Sequence, residues 1–96
     1  MKKPKQIVRL YIVGYTPIAQ RAIENLKLLC KQPEFSAVYD TEVINLLDNP
    51  SLAEEEKILA TPVLVKKLPE PMRRIIGDLS DKEKVLVGLD IFKSQQ

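Results

Sequence analysis

An α/β fold is predicted by three observations. Runs rich in β-branched and aromatic residues alternate with stretches of helical period. Twice, at Thr16-Pro17 and Asn49-Pro50, a capping residue followed by proline marks a helix start. The chain has 96 residues, 45% apolar and 29% charged, the balance of one folded domain rather than a disordered segment.

Ile7 to Val13 (IVRLYIV) reads as a buried strand that ends at Gly14. Thr16 then caps a helix with Pro17 at its first position. Ile18, Ala22, Leu26 and Leu29 recur at helical spacing, and Pro33 ends the helix by Gln32. A second strand fits Ala37 to Leu47, with Val38, Val43, Ile44 and Leu46 as apolar positions. A second helix fits Pro50 to Ile58, with Glu54, Glu55 and Glu56 toward its N-terminal half. Thr61-Pro62 breaks it. Val63 to Val65 and Arg73 to Ile76 read as a hairpin around Pro69-Glu70-Pro71. Ser80 with Glu83 forms a capping box that opens a last helix toward Phe92. The resulting order, β-α-β-α-β-β-α, is that of a thioredoxin-like fold, which also places a cis-proline at the start of its third strand. Pro62 occupies that place.

The C-terminal half satisfies two periods. On a helix, Val85, Leu86, Leu89 and Phe92 share a face; on a strand, Val85, Val87, Leu89 and Ile91 do. Gly88 weakens the helix by about 1 kcal/mol relative to alanine, and the β-branched residues favour a strand. Pro71 to Gly77 equally fits a short helix with a glycine stop. One explanation is that short apolar runs are ambiguous. The other is a chain with two folds separated by a few kcal/mol.

Composition removes several function classes. There is no histidine, hence no imidazole base or metal ligand, and Cys30 stands alone, so no internal disulfide forms and a cytoplasmic location is expected. The dithiol place of a thioredoxin-type enzyme reads Gly14-Tyr15-Thr16-Pro17-Ile18-Ala19, without sulfur. The three glycines make no phosphate loop, and no nucleophile–base pair can be assembled. No enzyme, metal or cofactor is therefore expected. The net charge of +2 is too small to imply nucleic-acid binding. The first apolar run, interrupted at Arg9, is too short to span a membrane. Residues 1–96 read as one domain, with residues 1–6 a flexible basic tail and residues 93–96 a short C-terminal tail.

Leu10–Gly14 (LYIVG), Thr16-Pro17, Asn49–Pro62 (NPSLAEEEKILATP), Leu68-Pro69, Arg73–Ser80 (RRIIGDLS), Glu83–Leu86 and Gly88–Asp90 together resemble the KaiB family of circadian clock proteins. The resemblance runs from about Val8 to Phe92. It implies a metamorphic protein whose ground state is a βαββααβ fold, assembled as a homotetramer, and whose rarer monomeric state is thioredoxin-like, βαβαββα. That rarer state is implied to bind the first ATPase ring of a KaiC-like ATPase, to sequester a KaiA-like protein and to compete with the sensor domain of a histidine kinase.

Residue by residue, the resemblance carries partner-facing cations onto Arg21, Lys57, Lys66 and Arg74, and control of the fold equilibrium onto Gly88 and Asp90. Since the family's dominant population is the ground state, that fold is expected, with the element order above failing after about Asn49. Two departures stand out. Pro69-Glu70-Pro71 occupies a place where many members carry three prolines, and the acidic tail that many carry is replaced by Lys93-Ser94-Gln95-Gln96. Members from organisms without KaiA suggest an alternative role in stress adaptation or kinase signalling. A thioredoxin-like redox role is the remaining alternative, disfavoured by the missing sulfur.

Overall fold

A computed structural model describes residues 6–68 and 70–90. The strands are β1 (Gln6–Ile12), β2 (Tyr39–Asn45), β3 (Val63–Lys66) and β4 (Arg73–Ile76), and the helices are α1 (Pro17–Leu29), α2 (Pro33–Ser36), α3 (Pro50–Glu55) and α4 (Lys82–Gly88). The sheet order is β2-β1-β3-β4. β1 and β2 are parallel, and β3 runs antiparallel to both β1 and β4. Apart from the short α2, this is the thioredoxin-like order. It corrects the expectation of a βαββααβ arrangement: the assignment of elements holds beyond Asn49 as well as before it.

The physical reason lies in α4. Its Val85 and Leu86, and Leu89 just beyond it, are buried and join Val8, Leu10, Ile12 and Leu64 in one core. Burying side chains of this kind contributes about 1.5–3 kcal/mol each. A helix presents all three to the sheet, and the helical period therefore prevails over the strand period here. Asp81 caps it, its side chain accepting from the Lys84 N–H at 3.1 Å. The expected Ser80–Glu83 box is thus displaced by one residue, and the Ser80 N–H instead donates to the Asp78 carboxylate at 3.0 Å. Ile91 and Phe92, like residues 1–5, residues 93–96 and Pro69, lie outside the described residues, whereas Gln6, expected in the N-terminal tail, begins β1.

α1 starts as its sequence dictates, with Thr16 Oγ1 accepting from the Ala19 N–H at 3.2 Å. Its buried face is Ala19, Ala22, Leu26 and Leu29, whereas Ile18 is 40% exposed. α1 and α4 cover one face of the sheet. α3 covers part of the other, where Leu52, Ala53 and Ile58 pack on Tyr11, Leu46, Val63 and Val65. The alternation along β1 follows from strand period two: Val8, Leu10 and Ile12 face α1 and α4, and Tyr11 faces α3. The 71–77 segment is extended and pairs with β3, so the short-helix alternative does not apply. The Thr61–Pro62 and Glu70–Pro71 peptide bonds are cis.

Candidate functional site

The end of α3 is built by backbone geometry. The Ile58 N–H reaches the Ala53 carbonyl at 2.8 Å and the Lys57 N–H the Glu54 carbonyl at 3.2 Å, with Lys57 left-handed at φ 56°. This is the paired hydrogen-bond pattern that closes helices, in a position that glycine ordinarily fills. The next two exposed carbonyls, those of Glu56 and Lys57, are taken by a cation from the sheet. Arg74 donates to the Lys57 carbonyl at 2.8 Å and to the Glu56 carbonyl at 2.7 Å. A guanidinium at a helix C-terminus also opposes the negative end of the helix dipole. Lys57 and Arg74, seventeen residues apart in sequence, are thereby joined on the α3 side of the sheet, both exposed.

The other candidate cations lie elsewhere. Arg21, on the exposed face of α1, has its Nε 3.5 Å from the Asp78 carboxylate. The Ser80 side chain and N–H, and then Arg21, hold the Asp78 pKa below its ordinary value. The folded form is accordingly favoured above the ordinary carboxylate pKa, and that contribution fades as pH falls through the depressed one. Lys66, the remaining candidate cation, is buried rather than on the surface in this fold. It is 1% exposed, on the α4 side of β3, with Nζ 3.8 Å from the Asp90 carboxylate. Strand alternation is the cause: Leu64 and Lys66 share the face that α4 covers.

Asp90 receives a second cation, Arg73, whose Nε donates at 2.9 Å. It occupies the left-handed position after α4 (φ 62°), with its N–H on the Val87 carbonyl. Aspartate tolerates that conformation better than most residues. Gly88 ends the helix beneath β4. A Cβ built there would come within 2.6 Å of Ile75 Cδ1, the free end of a half-buried side chain. Gly88 and Asp90 thus both govern how the end of α4 meets β3 and β4. Gly88→Ala is expected to stabilise this arrangement by up to about 1 kcal/mol, with Ile75 rotating aside. Its melting temperature, measured against the parent chain, checks the sign.

The glutamates Glu54 to Glu56 do not converge: Glu56 pairs with Lys67 at 2.6 Å, and the described residues contain no group of three metal-ligating side chains. Cys30 lies at the far end of α1, half-buried, its sulfur 3.6 Å from the Thr41 hydroxyl. Among the described residues no helix is long and apolar enough to cross a membrane.

Three kinds of likeness bear on this geometry. The KaiB domain model matches residues 9–91. The chain is 58% identical over 85 residues to the circadian clock oscillator protein KaiB of Gloeothece citriformis, covering 88% of this chain and 79% of that protein. It is 59% identical over 85 residues to the protein of the same name from Synechococcus elongatus, covering 88% and 82%. Among solved structures, the N-terminal domain of Synechococcus elongatus SasA is similar with a TM-score of 0.73 at 24% identity, over 100% of this chain and 93% of that one. A chloroplastic thioredoxin z follows at 0.70 and 17% identity, covering 91% and 78%. The solved structures speak for a thioredoxin-like fold, and the sequence matches, extending from β1 past α4, show that the chain belongs to the KaiB family.

Proposed function

We propose that this protein is a non-enzymatic clock regulator that binds the first ATPase ring of a KaiC-like ATPase in the fold described above. Binding modulates the phosphorylation state of that ATPase, displaces a sensor kinase and sequesters a KaiA-like protein. The observation that carries the reading is the likeness of the whole chain to the SasA N-terminal domain, on top of the family match. Two modules of one shape are natural competitors for one docking surface. Lys57 and Arg74 supply the contact, with Arg21 on a separate face; the left-handed turn fixes where Lys57 projects. Gly88 and Asp90 set how much of the protein holds this fold, in exchange with a homo-oligomeric alternative. The partner then draws on the competent fraction, which scales its apparent affinity.

Size-exclusion chromatography of the chain with such an ATPase and nucleotide, after long incubation, tests the proposal; absence of a complex would sink it. Lys57→Gly separates contact from stability, because glycine suits the left-handed turn and removes only the side chain. It and Arg74→Glu are each expected to weaken the complex at least tenfold, about 1.4 kcal/mol. Lys31→Ala, at the other end of α1, is expected to leave affinity within about twofold.

A further inference from the structure

α3 has six residues and packs over only part of its face of the sheet. Beyond it, a cavity of about 350 Å³ opens between the start of β1 and the end of β3. That is within the range of small-ligand pockets. Its apolar wall is made by Ile7 and Leu68, both about half exposed, and by the buried Val65. Its charged wall is made by Arg9 and Lys67, and no acidic residue is among the described residues that line it. Strand period brings these side chains together. Ile7 and Arg9 share one face of β1, Arg9 sits directly across from Val65 on β3, and Lys67 lies two residues further along that strand's direction.

The two cations are held in place without being used up. Arg9 donates from Nε to Glu42 at 2.8 Å, and the buried Tyr11 hydroxyl, then Glu42, hold its pKa above the ordinary value. Lys67 pairs with Glu56 at 2.6 Å. A guanidinium carries five N–H donors and an ammonium three, so each cation keeps donors for a further acceptor. Part of the cost of ordering the Arg9 side chain is met before a ligand arrives. The choice of acceptor follows from the backbone. Most of the lining comes from β1 and β3, whose backbone groups pair within the sheet, so the cavity lacks the clustered N–H groups of phosphate sites. A single planar guanidinium instead suits the two oxygens of a carboxylate. We infer that this cavity binds a small organic carboxylate, its head between Arg9 and Lys67 and its apolar body on Ile7, Val65 and Leu68. The site is on the sheet face away from α1 and α4, and it does not depend on the reading of the protein as a clock regulator.

Octanoate titrated into the full chain at fixed ionic strength, followed through the methyl resonances of Ile7, Val65 and Leu68, tests the inference. Saturable shifts at these three are expected. Octanol, which lacks the charge, and acetate, which lacks the body, should each bind about tenfold more weakly, and octyl phosphate no more tightly than octanoate. Arg9→Gln is expected to weaken octanoate about tenfold and to leave octanol within about twofold, which separates loss of the head's partner from damage to the cavity. Lys67→Gln, at an exposed position, should weaken octanoate about threefold. Should Arg9→Gln fail to fold, Ile7→Glu, at a half-exposed position, puts a carboxylate into the wall and should weaken octanoate more than it weakens octanol. The inference is overturned by any of four results: no saturable shift with octanoate, octanol binding as tightly as octanoate, octyl phosphate binding more tightly, or octanoate affinity unchanged in Lys67→Gln or in whichever of Arg9→Gln and Ile7→Glu folds.

Discussion

Lys66→Glu is expected to lower the unfolding free energy by about 3–5 kcal/mol, while Lys66→Met leaves it within about 1 kcal/mol. The ammonium of Lys66 is buried beside the Asp90 carboxylate, which also holds Arg73. A glutamate at this position buries a carboxylate without a cation of its own and sets it against that of Asp90, which is 44% exposed. Methionine keeps the apolar stem that packs under α4 and leaves Asp90 with Arg73, so little is lost. For a domain whose whole stability is about 5–15 kcal/mol, the glutamate variant is close to unfolding. Urea denaturation of the two variants measures the difference. Equal losses would show that the ammonium itself is required. Arg21→Glu is the surface comparison: its pair with Asp78 is solvent-exposed and worth at most about 1 kcal/mol.

The end of α4 is held by small quantities. The pair of Arg73 with Asp90 is half exposed and contributes about 0–1 kcal/mol. Gly88 costs the helix about 1 kcal/mol relative to alanine. The Asp90 carboxylate sits beside the negative end of the helix dipole, an unfavourable place that its two cations offset. No single contact here exceeds a few kcal/mol. A segment so balanced, whose sequence also satisfies a strand period, supports the proposal that the proportion of this fold is adjustable and that Gly88 and Asp90 adjust it.

Much of this architecture was legible where local signals agree. Thr16-Pro17 and Asn49-Pro50 each open a helix where they stand, Thr16 with a side-chain cap and Asn49 without one, its amide donating instead to the Asn45 carbonyl, and strand runs ending at glycine are strands, because proline and turn chemistry is decided within a few residues. Burial was less legible. Ile18 has the right spacing for the core, yet it is 40% exposed and the smaller Ala19 joins Ala22 on the buried face. Val43 is more than a third exposed on β2, an edge strand with β1 on one side and nothing described on the other, and Val38, likewise exposed, falls in the turn just before it. Of the candidate site, Lys57 and Arg74 meet through a tertiary contact that no spacing rule reaches. Lys66 could have been flagged: its period-two alternation with Leu64 points it to the same face, and a lysine there must be either buried and paired or at an edge. The last helix and the order it completes were readable from local signals, but Asp81 to Phe92 also satisfies a strand period, and burial of Val85, Leu86 and Leu89 with Val8, Leu10 and Leu64 is what separates the two.

Phe35→Ala is expected to cost about 3–5 kcal/mol, as large as any single change in this domain. A proline at position 33 reads as the end of α1, and so it is, but it also opens α2. That one turn serves to place a single side chain. Phe35 is 0% exposed, joins the core formed by α1, α4 and the sheet, and lies against the Tyr39 ring at 5.5 Å and 47°. Truncation removes the aromatic pair, worth about 0.5–1.5 kcal/mol, and leaves a cavity between α2 and β2 that four ordered residues cannot close. At about 4–8 °C per kcal/mol for a chain of this size, the melting temperature should fall by more than about 12 °C. Phe35→Leu keeps most of the volume and should cost less than about 1.5 kcal/mol. Leu59→Ala is the converse, because Leu59 is 96% exposed and its loss should be felt by no more than about 0.5 kcal/mol. A loss at Phe35→Ala no larger than that at Leu59→Ala would mean that α2 does not pack as described. Hydrophobicity alone ranks these two positions as similar; the backbone that carries them to opposite environments is what makes one a keystone of the core and leaves the other free for contact with a partner.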